Sequence, residues 1–136
     1  MRDVVTAFFE SESVPAREGP SGTFACSFAG ERQTYEAVVR VDERTEVVAV
    51  WSTLPVAVDA DRRAALVEKV CRLNCGHIIG NLEIDVDTGV VRMKTSIDYG
   101  GEELTEGFVA NLVWANVAAA DQLLPALLEV AVGASR

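Results

Sequence analysis

Disulfide pairing, a bilayer-spanning run and an excess of positive charge are all missing from this sequence. The three cysteines are an odd number without disulfide-framework spacing, so a reducing, cytoplasmic setting is expected. No apolar run approaches the roughly 20 residues that cross a bilayer. The first ten residues lack a long apolar core and a cleavage-like site, so no signal peptide is expected. Lys and Arg number 12 against 21 Asp and Glu, giving a net charge of −9. That balance repels phosphate backbones and anionic lipid, which sets aside nucleic acid and bare membrane as partners. A basic or amphipathic polypeptide fits it. There is no phosphate loop, nucleophile elbow, internal repeat or low-complexity segment, and no cofactor is expected.

What is present is the composition of a folded domain. Of 136 residues, 49% are hydrophobic and 24% charged, enough for one domain over 1–136 with a substantial core. The stretch from Gly80 to Tyr99 reads as a β-hairpin. Leu82, Ile84 and Val86 alternate with Glu83 and Asp85. Asp87-Thr88-Gly89 supplies a turn, with Gly89 free to adopt positive φ. Val91, Met93, Thr95 and Ile97 then share one face. A lone hairpin is unstable in water and needs further strands or a helix beneath it.

Both kinds of partner are predicted. Val4, Val5, Phe8 and Phe9 make an apolar stripe on a short helix over 3–12, with Asp3 as its cap. Residues 13–22 contain Pro15, Gly19, Pro20 and Gly22 and read as a loop. Thr23 to Ala29, Thr34 to Val41 and Thr45 to Trp51 alternate or are valine-rich and form an antiparallel meander. Asp59 or Asp61 caps a second helix that runs to about Leu73. Thr105 caps a final helix reaching to about Val132, which Pro125 should kink or break near Leu124. This helix carries more apolar circumference than one sheet can cover. The order is α-β-β-β-α-β-β-α, an α+β fold with a five-strand antiparallel sheet packed by helices.

Chemical motifs are weak. Cys71, Cys75 and His77 lack a fourth ligand, and the two thiols read as small buried hydrophobes rather than a metal site. Asp87-Thr88-Gly89 matches the tripeptide of retroviral-type aspartic proteases, but turn chemistry accounts for all three residues. Asp85-x-Asp87-x-Gly89 lacks the spacing and final Glu of a calcium loop. No catalytic residue and no metal ligand is assigned.

Several segments together resemble a known family. Trp51-Ser52-Thr53-Leu54-Pro55 closes the third strand, and Leu73-Asn74 ends the second helix. Gly80-Asn81-Leu82-Glu83-Ile84-Asp85 opens the hairpin, and a Gly-bearing turn leads to Val90-Val91-Arg92. The last helix opens with Leu104-Thr105 and closes around Leu124-Pro125. The pattern resembles the class I type III secretion chaperones, and more closely the YbjN domains that share their fold and carry the label of bacterial sensory transduction regulators. The resemblance implies a non-enzymatic, cytoplasmic binding protein, often dimeric. Secretion chaperones hold an unfolded stretch of an effector along apolar patches.

The sequence thus favours a homodimeric module that holds a polypeptide on apolar surface, with Phe8, Trp51, Leu54 and Trp114 as candidate surface residues. The alternatives are a small enzyme using carboxylates near Asp85 and Asp87, which requires a concave pocket and a carboxylate of raised pKa, or a structural subunit of a larger complex.

Overall fold

A computed structural model describes residues 2–132. The order is α1 (Arg2–Ser11), β1 (Ala16–Glu18), β2 (Thr23–Ala29), β3 (Thr34–Asp42), β4 (Val47–Leu54), α2 (Arg63–Cys75), β5 (Asn81–Ile84), β6 (Val91–Asp98) and α3 (Glu106–Ala131). All strand pairs are antiparallel, and the sheet runs β1-β2-β3-β4-β6-β5. It has six strands where five are expected. The sixth is β1, within the segment read as a loop. Its three residues are all exposed, so no alternation marks it, and only main-chain pairing with Phe24–Cys26 makes it a strand.

The helices cover one face of the sheet. Phe24, Cys26 and Phe28 of β2 point into it, as do Tyr35, Ala37, Val39 and Val41 of β3 and Val91, Met93 and Thr95 of β6. Intervening residues face outward, which is what period-2 alternation dictates. Val5, Phe8 and Phe9 of α1 are buried at i, i+3 and i+4. Phe9 stacks on Phe28 with ring centroids 6.2 Å apart. Asp3 lies in the first turn of α1, within the helix rather than ahead of it.

Side chains from α3 pin the sheet's centre. Asn116 is wholly buried, and its Nδ2 donates to the carbonyls of Val50 at 3.0 Å and Met93 at 2.9 Å. Thr95 Oγ1 donates back to the Leu112 carbonyl at 2.8 Å. A buried amide that finds several partners fixes one register of helix on sheet.

Helix ends follow the sequence in part. Thr105 Oγ1 accepts from the Phe108 N–H at 3.2 Å, with Glu106 in the first turn. Neither Asp59 nor Asp61 caps α2 through its side chain. A 3-10 turn over Ala60–Arg62 intervenes, closed by the Arg62 N–H on the Asp59 carbonyl at 2.9 Å. Arg62 Nε then donates to the Val130 carbonyl at 3.1 Å, tying the start of α2 to the last turn of α3.

Pro125 does not break α3, which continues to Ala131. Proline lacks the N–H that would engage the carbonyl four residues back, here that of Asp121. Arg32 Nε donates to that carbonyl instead, at 2.8 Å.

The hairpin is shorter than its pattern suggests. Asp85 Oδ1 accepts from the N–H groups of Asp87 at 2.9 Å and Thr88 at 3.3 Å, and Gly89 closes the turn at φ 80°. The turn therefore begins at Asp85, and Val86 leaves the apolar face and is exposed.

Candidate functional site

Four residues were expected on a binding surface, and the fold separates them. Phe8 is 1% exposed and Leu54 2%. Both lie in the core, because α1 packs against α3 and sets Phe8 beside Trp114, and because Leu54 points to the helix-covered face. Trp51 lies half-buried on the opposite face of the sheet. Its Nε1 donates to Glu83 Oε2 at 3.1 Å. Glu83 also meets Lys94 Nζ at 2.9 Å and Arg92 at 3.4 Å. Partial burial works to raise the Glu83 pKa. Lys94, Trp51 and Arg92 outweigh it, and the carboxyl is held below its usual range. Trp51 is thus one member of a polar cluster.

Trp114 is the expected residue that does reach the surface. Its ring lies 6.5 Å from that of Phe8 and 5.8 Å from that of Phe28, yet the residue stays 37% exposed. It sits on a ridge between two concavities. One, of about 520 Å³, is lined by Arg32, Trp114, Ala118, Asp121 and Gln122 among others. The other, of about 490 Å³, is lined by Ile79, Ile97, Phe108, Leu112, Trp114 and Ala115 among others, with Asn111 a polar member.

The second groove is the more apolar. Phe108 is 45% exposed, Ile79 is 60% exposed and neighbouring Ile78 almost fully so. From Gly107 to Ala120 the helix carries no charged residue, although Phe108, Asn111, Trp114 and Ala118 are exposed. Exposed positions of a surface helix are ordinarily polar or charged. Contiguous apolar surface of this kind marks an interaction site more often than stray exposed side chains do.

Phe108, Ile78 and Ile79 were not among the expected site residues. The signals were present: an uncharged run of fourteen residues opening a helix, and an Ile pair between Gly76 and Gly80 that belongs to no periodic face.

The chemical alternatives are placed differently. Asp85 and Asp87 are exposed on a tight turn, Asp85 serving as its local hydrogen-bond acceptor, so no enclosed carboxylate pocket forms there. Among the described residues, the carboxyls of Asp42, Glu83 and Asp121 are held below their usual range. Cys71 and Cys75 are exposed rather than buried, because Leu66 and Val70 form the inward face of α2. Among the described residues, no group of three or more His, Cys, Asp or Glu side chains could hold a metal ion, and no helix is long and apolar enough to cross a membrane. Cys26 is buried beside Glu36, and burial chiefly pushes its pKa up to about 12.

Comparison with known proteins supports the fold. A family model, YbjN, described as "Putative bacterial sensory transduction regulator", matches residues 1–129. Among curated proteins, none matches the sequence. Among solved structures, a chain of the HopA1–SchA chaperone–effector complex superposes with a TM-score of 0.59 at 14% identity, covering 94% of this chain and 92% of the other. A chain of the ExsC–ExsE complex gives 0.60 at 14% identity, with 93% and 92% covered. YbjN from E. coli gives 0.64 at 11% identity, with 95% and 89% covered. At such identities the likeness is one of fold.

Proposed function

This chain belongs to the YbjN family, and from that premise we propose that it is a non-catalytic module that holds a polypeptide partner in the groove between Ile79 and α3. One observation carries the reading: the exposed face of α3 from Gly107 to Ala120 is uncharged, and Phe108 and Trp114 stand out from it beside Ile78 and Ile79. Two features support it. The fold is shared with a chaperone–effector complex. The net charge of −9 favours a partner whose apolar residues are flanked by basic ones.

The working unit we infer is a homodimer. Leu128 and Val132, at the far end of α3, are exposed and offer a second apolar surface, away from the groove, for another copy.

Reduced hen lysozyme with its cysteines blocked by iodoacetamide, carrying a fluorophore, is a suitable unfolded and basic probe. Binding to the full chain should raise its anisotropy, and Phe108→Ser or Trp114→Ala should weaken binding about tenfold, the range of a buried aromatic anchor. Absence of binding by the unaltered chain would remove the reading. Sedimentation velocity tests the dimer, which a monomer at all concentrations would exclude.

A further inference from the structure

We propose that the unpaired half of β6 accepts an added strand from an extended peptide whose side chains alternate between apolar and basic. The proposal rests on the polypeptide-holding reading and adds to it a place and a binding mode.

β6 pairs with β4 along all of Val91–Asp98, but with β5 only over Val91–Lys94. The main-chain groups of successive strand residues alternate between the two edges. The Tyr99 N–H donates to the Glu46 carbonyl on the β4 side, while the Val90 carbonyl accepts from the Asp85 N–H on the β5 side. Odd positions of β6 therefore address β4, and even positions address β5. Arg92 and Lys94 meet β5. Ser96 and Asp98 turn their N–H and carbonyl groups the same way, past the end of β5.

The chain is turned away from β6 at Gly80. Its φ is 82°, and a Cβ there would lie 2.8 Å from the Lys94 carbonyl. Only glycine fits this approach, and Ile79 is directed outward just before it.

A strand added beside Ser96 and Asp98 would send alternate side chains to the sheet's two faces. On the helix-bearing face they meet the apolar groove of Ile97, Ile79, Phe108 and Trp114. On the other face they stand beside Ser96 and Asp98. Glu102, Glu103 and Glu106 follow directly in the chain and are exposed, so basic residues are the matching charge. Lys94, the cation closest in sequence, is engaged by Glu83. A second copy pairing edge to edge would set Asp98 and these glutamates against their own equivalents. A foreign basic strand meets no such repulsion. This is β-augmentation, in which main-chain bonds give affinity and alternate side chains give selectivity.

The test uses the full chain and a fluorescein-labelled, end-blocked heptapeptide, Arg-Leu-Arg-Val-Arg-Leu-Arg, read by anisotropy. Two further versions are N-methylated, one at every arginine and one at every apolar residue. Along a strand, N–H groups of alternate residues face one edge. Methylating the set that faces β6 should weaken binding about tenfold, while methylating the other set should change it little. Phe108→Ser should weaken all three. Equal effects of the two methylation patterns would overturn strand addition while leaving polypeptide holding in place. Failure of both the unmodified heptapeptide and the unfolded lysozyme probe would remove the underlying reading too. Peptide binding that rises only as a dimer dissociates would put a second copy on this edge and would also overturn the proposal.

Discussion

Arg32 and Asp121 meet twice. The Arg32 N–H approaches Asp121 Oδ1 at 3.3 Å, and its guanidinium Nε donates to the Asp121 carbonyl at 2.8 Å. The same carboxylate accepts from the Glu31 N–H at 2.7 Å and from Tyr35 Oη at 2.7 Å. One residue of α3 thereby holds the whole β2–β3 turn. Gly30 is small for this reason, since a Cβ there would lie 2.7 Å from both carboxylate oxygens.

Removing that acceptor should be costly. Asp121→Ala strands the Tyr35 hydroxyl in a buried position and frees the turn. The expected loss is about 2–3 kcal/mol, the scale for hydrogen bonds to a charged group. Urea unfolding measures it. A loss near zero would show that the turn holds itself.

Acid should loosen the same contact. Partial burial works to raise the Asp121 pKa. The Tyr35, Glu31 and Arg32 hydrogen bonds and the Arg32 charge outweigh it, leaving the folded pKa below the ordinary value. A depressed folded pKa contributes stability above the unfolded value, near pH 4, that is lost as pH falls through the folded one. Stability against urea should therefore decline from about pH 5 downward, and less steeply in Asp121→Asn. Identical slopes would show that other carboxylates govern the decline.

Pro125 and Arg32 should be coupled. Pro125→Ala restores an N–H four residues beyond Asp121 and raises helix propensity, so it should stabilise by about 1–3 kcal/mol. Arg32→Ala should then cost less in the Ala background than in the Pro background. A double-mutant cycle should give about 0.5–1 kcal/mol of coupling. Additive effects would mean that the guanidinium does not compensate for the missing amide.

The thiols should divide two to one. Cys71 and Cys75 are exposed, whereas Cys26 is buried with its thiol pKa pushed up to about 12. An aromatic disulfide reagent should therefore titrate two thiols in the folded protein and the third only in denaturant. Three equally fast thiols would contradict the packing of β2.

Much of the architecture could be read from the sequence because it is written in local alternation. Phe24-Cys26-Phe28 and Tyr35-Ala37-Val39-Val41 bury every second residue, and Thr105 caps its helix as a Thr-Glu start predicts. What could not be read depends on residues distant in the chain. β1 exists because β2 offers an edge. The helix passes Pro125 with help from Arg32, 93 positions away. Phe8 and Leu54 look adhesive in isolation and prove to be core, because hydrophobicity alone does not say which apolar residues are covered. The groove needs three separate segments to be brought together, and of the four residues expected on a surface only Trp114 lines it.

The seam between β4 and β6 joins Leu54 to Val91 and Val47 to Asp98, with a helix and a strand intervening in the chain. Such distant pairing closes slowly. On the ribosome, the meander of β1 to β4 can assemble early, but its β4 flank stays bare until β6 has emerged. That interval, rather than the finished fold, is when this protein is most exposed to misassociation, and faster translation of the segment after Leu54 should shorten it.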